Sequence, residues 1–235
     1  MTTFQGIPAG AFGFYEELQD NNNRQWWQEH KAGYQSLVKE PLASLLAELE
    51  PRFGPAKLFR PNRDIRFSED KSPYKTAQGA VASVQEGVGY YLQISADGLL
   101  VGGGYHSHTP AQLARYRNSV DASGTGEALR HIVENVAAAG FSVEGEKLKT
   151  VPRGYDRGHP RAELLKHKSL SAGVHLGQPE WLATPGATHE IAELWEDLRP
   201  LVDWVSRHAA PLSRVSSPAD AAAGRCPFLA SWICS

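Results

Sequence analysis

The chain has 235 residues, of which 41% are hydrophobic and 21% charged, and its formal net charge is −2. This composition is typical of a globular protein and excludes a disordered or fibrous chain. No apolar run approaches the roughly 20 residues that span a bilayer, and the N-terminus lacks the basic start and apolar core of a signal peptide. We therefore expect a cytoplasmic protein without a membrane partner.

The C-terminal end differs in composition from the rest of the chain. The two cysteines, Cys226 and Cys234, both lie there, so the main body can carry neither a disulfide framework nor a cysteine-ligated metal. From about residue 211 the sequence reads SRVSSPADAAAGR and then CPFLASWICS. We expect one domain over residues 1–210 and a disordered or weakly docked tail over 211–235.

The N-terminal part predicts a helix whose first turn is capped by Asn22 or Asn23. Apolar and aromatic side chains recur there at helical spacing, at Trp26, Trp27, Tyr34, Leu37 and Val38. Pro41 lacks an N–H, which predicts a kink or the start of a new helix. The apolar face then continues in Leu42, Leu45, Leu46 and Leu49, and the helix ends at Pro51, Gly54 and Pro55.

Beyond residue 56 the sequence indicates strands. Residues 63–68 alternate between an apolar face with Ile65 and a polar face with Asp64 and Arg66, which predicts a half-buried strand with these two charges side by side. A meander of three antiparallel strands should follow at 77–85, 89–95 and 99–105. Asp97-Gly98 predicts a type I′ hairpin turn between the last two strands, because that turn needs positive φ angles.

The second half of the chain alternates helices with short strands. Thr109-Pro110 is typical of a helix start, and Gly140 of a helix stop. The predicted helices lie at about 110–120, 124–139, 160–165 and 187–207. The predicted strands lie at 141–144, 147–150 and 169–176, with a loop at 152–160. These elements predict an α+β fold in which an antiparallel sheet, the meander at about 77–105 plus flanking strands, packs with N-terminal, central and C-terminal helices.

Charge is distributed unevenly, in two basic segments. The first basic segment, residues 57–75, holds six basic and three acidic residues, a local charge of +3. The second basic segment, residues 147–168, holds seven basic and two acidic residues, a local charge of +5. If folding brings them together, they form one positive surface that favours anions. The alternative is two separate solvated faces.

Several signals of cofactor, metal or nucleophilic chemistry are absent or incomplete. The sequence has no phosphate-binding G-x-x-x-x-G-K-[ST] loop, no G-x-S-x-G elbow and no H-E-x-x-H zinc helix. His106 and His108 could share one side of an extended segment, but nothing nominates the further ligands that zinc requires. Glu69-Asp70-Lys71 resembles the acid-x-Lys pattern of metal-dependent nucleases without a separate strand for the first acid. We predict no cofactor and no metal.

The first basic segment holds the groups best suited to an anion. Arginine offers a planar, permanently charged fork for phosphate or carboxylate, and lysine adds a mobile point charge. The alternative is that Asp64, Glu69 and Asp70 neutralise these bases in salt bridges that hold a loop in place. Both interpretations fit the sequence.

The segment RDIRFSEDKSPYKT, residues 63–76, resembles the signature of the bacterial proteins grouped as domain of unknown function 2461. NNNRQWWQEHKAGYQ, GGGYHSHTPAQLARYRNSV and LKTVPRGYDRGHPRAELLKHKS are similar to other parts of that family, so the resemblance covers roughly residues 9–210. It implies one α+β domain in which the two basic segments define the family. The matching positions are Arg63, Asp64, Arg66, Phe67, Asp70, Lys71, Ser72, Pro73, Tyr74, Lys75, Pro152, Gly154, His159, Pro160 and Lys168.

Our leading hypothesis is a positively charged groove, formed by residues 60–75 and 152–168, that binds an anionic small molecule. The predicted ligand-binding residues are Arg63, Asp64, Arg66, Lys71, Ser72, Lys75, Arg153 and Lys168. One alternative is an enzyme acting on a phosphorylated or anionic substrate, with Asp70 or His159 as general acid or base and Tyr74 as proton donor. Another is a protein-interaction module. The absence of a strongly basic domain disfavours nucleic acid, and the sequence does not predict an oligomeric state.

Overall fold

The computed structural model describes residues 3–66, 69–105 and 109–209. Its α-helices are α1 (Gly10–Asp20), α2 (Arg24–Gly33), α3 (Glu40–Phe53), α4 (Pro110–Asp121), α5 (Ser123–Ala138), α6 (Ala162–Leu165) and α7 (Ala187–His208). Its strands are β1 (Ala56–Leu58), β2 (Ala77–Gln85), β3 (Val88–Ser95), β4 (Gly98–Tyr105), β5 (Ser142–Glu144) and β6 (Leu170–Gly177). A π-helical segment, Tyr34–Lys39, joins α2 to α3, and a 3-10 turn covers Glu180–Ala183.

The strands form one antiparallel sheet in the order β1-β2-β3-β4-β6-β5. The predicted meander is confirmed as β2, β3 and β4, each within one residue of its expected start. The long connection through α4 and α5 returns the chain to the sheet, where β6 lies beside β4 and β5 pairs with β6. The α+β class predicted from the sequence is therefore confirmed.

Helix ends follow the capping residues of the sequence. Asn23 accepts a hydrogen bond from the backbone N–H of Trp26 and begins α2. Thr109 and Gln112 form a capping box at the start of α4. Gly140, with φ of +94°, follows the last turn of α5. These local bonds explain why the predicted helix boundaries hold.

The first helix was not predicted from the sequence. α1 buries Ala11, Phe12, Phe14, Tyr15 and Leu18, which recur at helical spacing. Three nearby glycines, which favour loops over helices, obscure that pattern. Packing of the apolar face therefore outweighs the low helix propensity of this stretch.

The strand predicted at 63–68 is wrong for the residues described there. Arg63–Arg66 form no strand, although burial still alternates between consecutive residues. A strand requires a continuous ladder with a neighbour, and none of the described residues in this segment is paired in one; the nearest bridge joins Asn62, just before it, to Tyr74. Residues 63–66 therefore form part of a loop, although their burial alternates as in a strand. Phe67 and Ser68 lie outside the described residues.

Two further local predictions are corrected. Residues 147–150 form no strand, because Lys147 makes only an isolated bridge with His167. The hairpin between β3 and β4 lies where Asp97-Gly98 predicted it, but the turn is not type I′. Asp97 does not have a positive φ, and Gly98 alone, at +110°, supplies the left-handed conformation.

The described chain divides into two compact units. The first comprises residues up to Ala82, Tyr90–Val101 and His175–Trp195, and its core holds the aromatic cluster Phe53, Tyr90 and Trp195. The second comprises Ser83–Gly89, Gly102–Val174 and the residues from Glu196 onward. Its core packs Tyr105 against Tyr116, and Tyr116 against Trp204. A single domain over 1–210 stays a prediction.

Two sequence predictions concern residues outside those that the structure describes: the tail at 211–235, and the pair His106 and His108. Among the helices that are described, none is long and apolar enough to cross a membrane.

Candidate functional site

The first basic segment folds into an excursion that we call the basic loop, Arg60–Lys75, between β1 and β2. Its two limbs are joined at the base by backbone bonds, from the Arg63 N–H to the Pro73 carbonyl at 2.9 Å and from the Lys75 N–H to the Pro61 carbonyl at 2.8 Å. The bridge between Asn62 and Tyr74 lies between these bonds. The charged residues from Arg63 to Lys71 are therefore presented beyond a closed neck in the first unit.

Two ion pairs form among the described residues of the basic loop. Arg66 donates from Nε to Asp64 Oδ1 at 2.8 Å and from Nη2 to Oδ2 at 2.6 Å, which is the bidentate geometry that fixes a guanidinium plane. Arg63 pairs with Asp70 across the loop. The first pair remains exposed, since 71% of the Arg66 side chain and 46% of the Asp64 side chain are accessible. The sequence prediction that Asp64 lies beside Arg66 is confirmed.

The loop's lysines are held by backbone carbonyls. Lys71 Nζ donates to the Ile65 carbonyl at 3.1 Å, and Lys75 Nζ donates to the Arg60 carbonyl at 2.9 Å. Lys75 also lies 5.7 Å from the centre of the Phe59 ring. A carbonyl positions an ammonium group without cancelling its charge. In the described part of the chain, Lys57, Arg60 and Lys71 have no carboxylate within ion-pair distance.

Asp70 is held as a carboxylate. It accepts a hydrogen bond from the Ser72 N–H at 2.8 Å and pairs with Arg63. Hydrogen bonds from Ser72, followed by the Arg63 guanidinium, lower the pKa of Asp70 to about 2. The Arg66 guanidinium likewise lowers the pKa of Asp64 to about 2. Both groups are ionised at neutral pH, so Asp70 has no proton to give as a general acid.

Tyr74 anchors the loop to the helical layer of the same unit. Its side chain is 6% exposed and stacks on Trp27, with ring centres 4.1 Å apart and planes at 12°. Its backbone is bound at both polar groups by Asn22, whose Nδ2 donates to the Tyr74 carbonyl at 2.9 Å and whose Oδ1 accepts the Tyr74 N–H at 3.1 Å. These contacts make Tyr74 a packing residue at the neck of the loop.

The other end of the loop is fixed by a buried polar chain. Tyr34, in the π-helical segment, donates its hydroxyl to Gln78 Oε1 at 2.6 Å, and Gln78 Nε2 donates to the Phe59 carbonyl at 2.8 Å. Burial raises the pKa of Tyr34 to about 12, which keeps the hydroxyl a donor. The residue that precedes the basic loop is thereby tied to β2 and to the N-terminal helices.

The second basic segment lies in the second unit and is organised around a buried arginine. Arg161 is 8% exposed, and it donates from Nε to the Val120 carbonyl at 2.7 Å and from Nη2 to the Asp121 carbonyl at 2.8 Å. Those carbonyls end α4, so a cation caps the negative end of the helix dipole. Gly126 leaves room for this arrangement, because a Cβ there would lie 2.5 Å from Arg161 Nε.

His159 is part of the same arrangement. Its Nδ1 accepts the Arg161 N–H at 3.0 Å, and its Nε2 lies 3.2 Å from Asp121 Oδ1. Since Nδ1 accepts, the proton of the neutral ring belongs on Nε2, facing Asp121. Both ring nitrogens have protein partners, and the contact of Nε2 with Asp121 joins this segment to α4, so we derive no acid or base step from His159.

The remaining predicted ligands of the second basic segment differ in their surroundings. Lys168 pairs with Glu146, whereas Arg153 is exposed. A cleft of about 290 Å³ lies beside the buried arginine, and its charged lining carries both signs, Arg130, Glu134, His159, Arg161 and Glu163. In the described ranges no group of three or more histidine, cysteine, aspartate or glutamate residues could hold a metal ion.

Sequence reasoning missed the residues that anchor the basic loop. Asn22 was expected only as a candidate helix cap, and Trp27 only as part of an apolar helix face. The clue in the sequence was the surplus of asparagines: three precede α2, and one suffices as its cap. The two bonds from Asn22 to Tyr74 span 52 residues, which local patterns cannot predict.

Comparison with known proteins identifies a family. Neither the curated proteins nor the solved structures contain a match to the chain. A family model described as a conserved hypothetical protein, DUF2461, matches residues 10–204. That match covers most of the sequence and includes both basic segments. The chain therefore belongs to the DUF2461 family of conserved hypothetical proteins.

Proposed function

We propose that the basic loop binds a small ligand bearing phosphate or carboxylate, with Arg66, Lys71 and Lys75 as its principal donors. The observation that carries the proposal is the way the loop holds its lysines. Carbonyls of Ile65 and Arg60 position Lys71 and Lys75, and a carbonyl leaves the positive charge in place for an anion.

The ion pairs of the loop contribute orientation. Asp64 fixes the plane of the exposed Arg66 guanidinium, so less conformational entropy is lost when an anion is bound. Asp70 fixes Arg63 and the turn at Ser72 in the same way. The loop as a whole keeps a surplus of basic residues after both pairs are made. This combination of fixed geometry and a surplus of basic residues favours a compact anion.

The predicted contributions of Arg153 and Lys168 are a separate part of the proposal. Arg153 is exposed and suited to an anion, whereas Lys168 already has Glu146 as a partner. We expect Arg153 to contribute less than Arg66, and Lys168 least. A thermal-shift comparison of Arg153→Ala and Lys168→Ala with Arg66→Ala tests this order.

A thermal-shift screen tests the proposal, since a ligand that binds only the folded state raises the melting temperature by mass action. The ligands are inorganic phosphate, pyrophosphate, a sugar phosphate, a nucleotide and citrate, at one ionic strength. The variants are the wild type, Arg66→Ala and the matched control Arg207→Ala. Arg207 forms an ion pair with Asp203 in which 74% and 43% of the side chains are accessible, close to the values for Arg66 and Asp64.

We expect at least one anion to stabilise the wild type and Arg207→Ala clearly more than it stabilises Arg66→Ala. The same screen distinguishes phosphate from carboxylate ligands. No stabilisation by any of these anions, or equal stabilisation of all three proteins, would contradict the proposal.

A further inference from the structure

We infer that Asn22 is a positioning residue for the anion site and that it acts on the site through Tyr74. The inference rests on the proposed function of the basic loop and adds the means by which its geometry is set. The side-chain amide of Asn22 makes two hydrogen bonds to the backbone of Tyr74, one donated at 2.9 Å and one accepted at 3.1 Å.

The geometry of this contact is that of an extra strand residue. An amide that donates to a carbonyl and accepts from the N–H of the same residue reproduces the paired bonds between adjacent strands. Tyr74 also bridges Asn62, so its backbone is held by the opposite limb of the loop and by the N-terminal helical layer. Asn22 thereby extends the closed neck of the loop into the start of α2.

The position of Tyr74 controls the residues that carry charge. Lys75 follows it directly, and its Nζ reaches back to the Arg60 carbonyl across the neck. Lys71 lies three residues before it and spans the loop to Ile65. A shift of Tyr74 would therefore move both lysines relative to Arg66. Stacking on Trp27 restrains the Tyr74 ring in the same place.

The other limb has its own restraint, which provides a second variant. Tyr34 and Gln78 hold the Phe59 carbonyl immediately before the loop begins. Tyr34→Phe removes the hydroxyl donor while keeping the ring, so it loosens this limb with little change in packing. Asn22→Ala and Tyr34→Phe should both make the basic loop less ordered, although they act on opposite limbs of it.

Loop order can be measured without a ligand, because trypsin cleaves after Arg63, Arg66 and Lys71. Cleavage of a folded protein follows the population of locally open states. We expect Asn22→Ala to speed cleavage at these sites by roughly ten-fold, while cleavage after Lys149 and Arg157 in the second basic segment stays at the wild-type rate. Asn21→Ala is the matched control, because among the described residues its side chain bonds to the Glu17 carbonyl of α1 and not to the basic loop.

Pyrophosphate titrations then connect the restraint to binding. At a temperature where each variant is folded, Asn22→Ala should bind pyrophosphate roughly five- to ten-fold more weakly than the wild type, and Asn21→Ala should bind it equally. In a Lys71→Ala background the same Asn22→Ala change should have a smaller effect than in the wild type, because one of the two lysines that it positions is already absent. An additive effect would overturn the inference.

The outcomes separate the two proposals. Faster loop cleavage with unchanged pyrophosphate affinity would overturn the positioning role and leave the anion site standing. Unchanged loop cleavage, or an equal rise at every tryptic site, would also overturn the positioning role. A wild type that binds none of the screened anions, or a pyrophosphate affinity that is unaffected by Lys71→Ala, would overturn the anion site and with it the inference.

Discussion

The two basic segments of this protein have similar composition and opposite organisation. In the basic loop Arg63 and Arg66 pair with acids a few residues away, and the side chains of Arg66 and Asp64 remain largely exposed. In the second basic segment Arg161 is 8% exposed and binds the carbonyls that end α4. One segment presents its charge to solvent, and the other uses it to join structural elements.

This difference shows that charge density alone does not identify a binding site. What matters is whether a cation completes the hydrogen bonding of the fold. Arg161 does so, because the Val120 and Asp121 carbonyls at the end of α4 depend on it. The basic loop contains its own partners, so its cations are less committed to the rest of the protein. We expect the two segments to respond very differently to substitution.

The largest effect should come from Arg161. Arg161→Ala leaves two carbonyls at the end of α4 without their donor and opens a cavity, which should lower the free energy of unfolding by roughly 3 kcal/mol. Urea denaturation measures this, with Arg207→Ala as the exposed control. A loss no greater than that of the control would erase the proposed contrast between the segments.

The next effect is a pH dependence specific to the second basic segment. Burial lowers the pKa of His167 to about 4 from its ordinary value of 6.5, and its Nδ1 lies 2.8 Å from the Ser169 carbonyl. The unfolded chain therefore binds a proton below pH 6.5 that the folded protein takes up only near pH 4. Stability should fall by on the order of 2–3 kcal/mol as the pH drops between these values.

Substitution of this histidine tests that assignment. His167→Gln should flatten the stability curve between pH 6.5 and 4. Asp64 and Asp70 have pKa values of about 2, lowered from an ordinary value of 3.8. They therefore make stability depend on pH only below about pH 3.8. A curve that keeps its slope in His167→Gln would show that another group is responsible.

A smaller effect tests the packing around Arg161. Alanine is normally a better helix former than glycine by about 1 kcal/mol. At Gly126, however, the new Cβ would lie 2.0 Å from the Val120 carbonyl oxygen, so Gly126→Ala should destabilise the protein by roughly 2 kcal/mol.

Gly124 in the same helix is the matched control. A Cβ there meets nothing within 4 Å, so Gly124→Ala should be neutral or slightly stabilising. Both variants are compared with the wild type by urea denaturation. If Gly126→Ala is tolerated as well as Gly124→Ala, the close approach of Arg161 to α5 is not required.

Much of the fold could be predicted because its signals are local. Thr109-Pro110, Gly140 and the alternating strands of the meander identify their elements from adjacent residues. The strand expected at 63–68 failed because alternation indicates exposure but does not supply a neighbouring strand. α1 was missed because glycine propensity conceals an apolar face that tertiary packing stabilises.

The candidate site was predictable only in part. The sequence placed Asp64 beside Arg66 because two residues of an extended segment share a face, and the structure has that pair. It could not predict that Asn22 holds Tyr74 or that Arg161 is buried against α4. Those contacts join residues 52 and about 40 positions apart, and they depend on how the helices pack.

The most direct test of the anion site measures affinity and stability in one variant. Arg66→Ala should weaken pyrophosphate binding by roughly ten-fold or more, while its free energy of unfolding stays close to that of the wild type, as expected for an exposed ion pair. Calorimetric titration and urea denaturation of the same preparation give both numbers. Unchanged affinity together with a large loss of stability would mean that the charges of the basic loop serve only to hold the fold together.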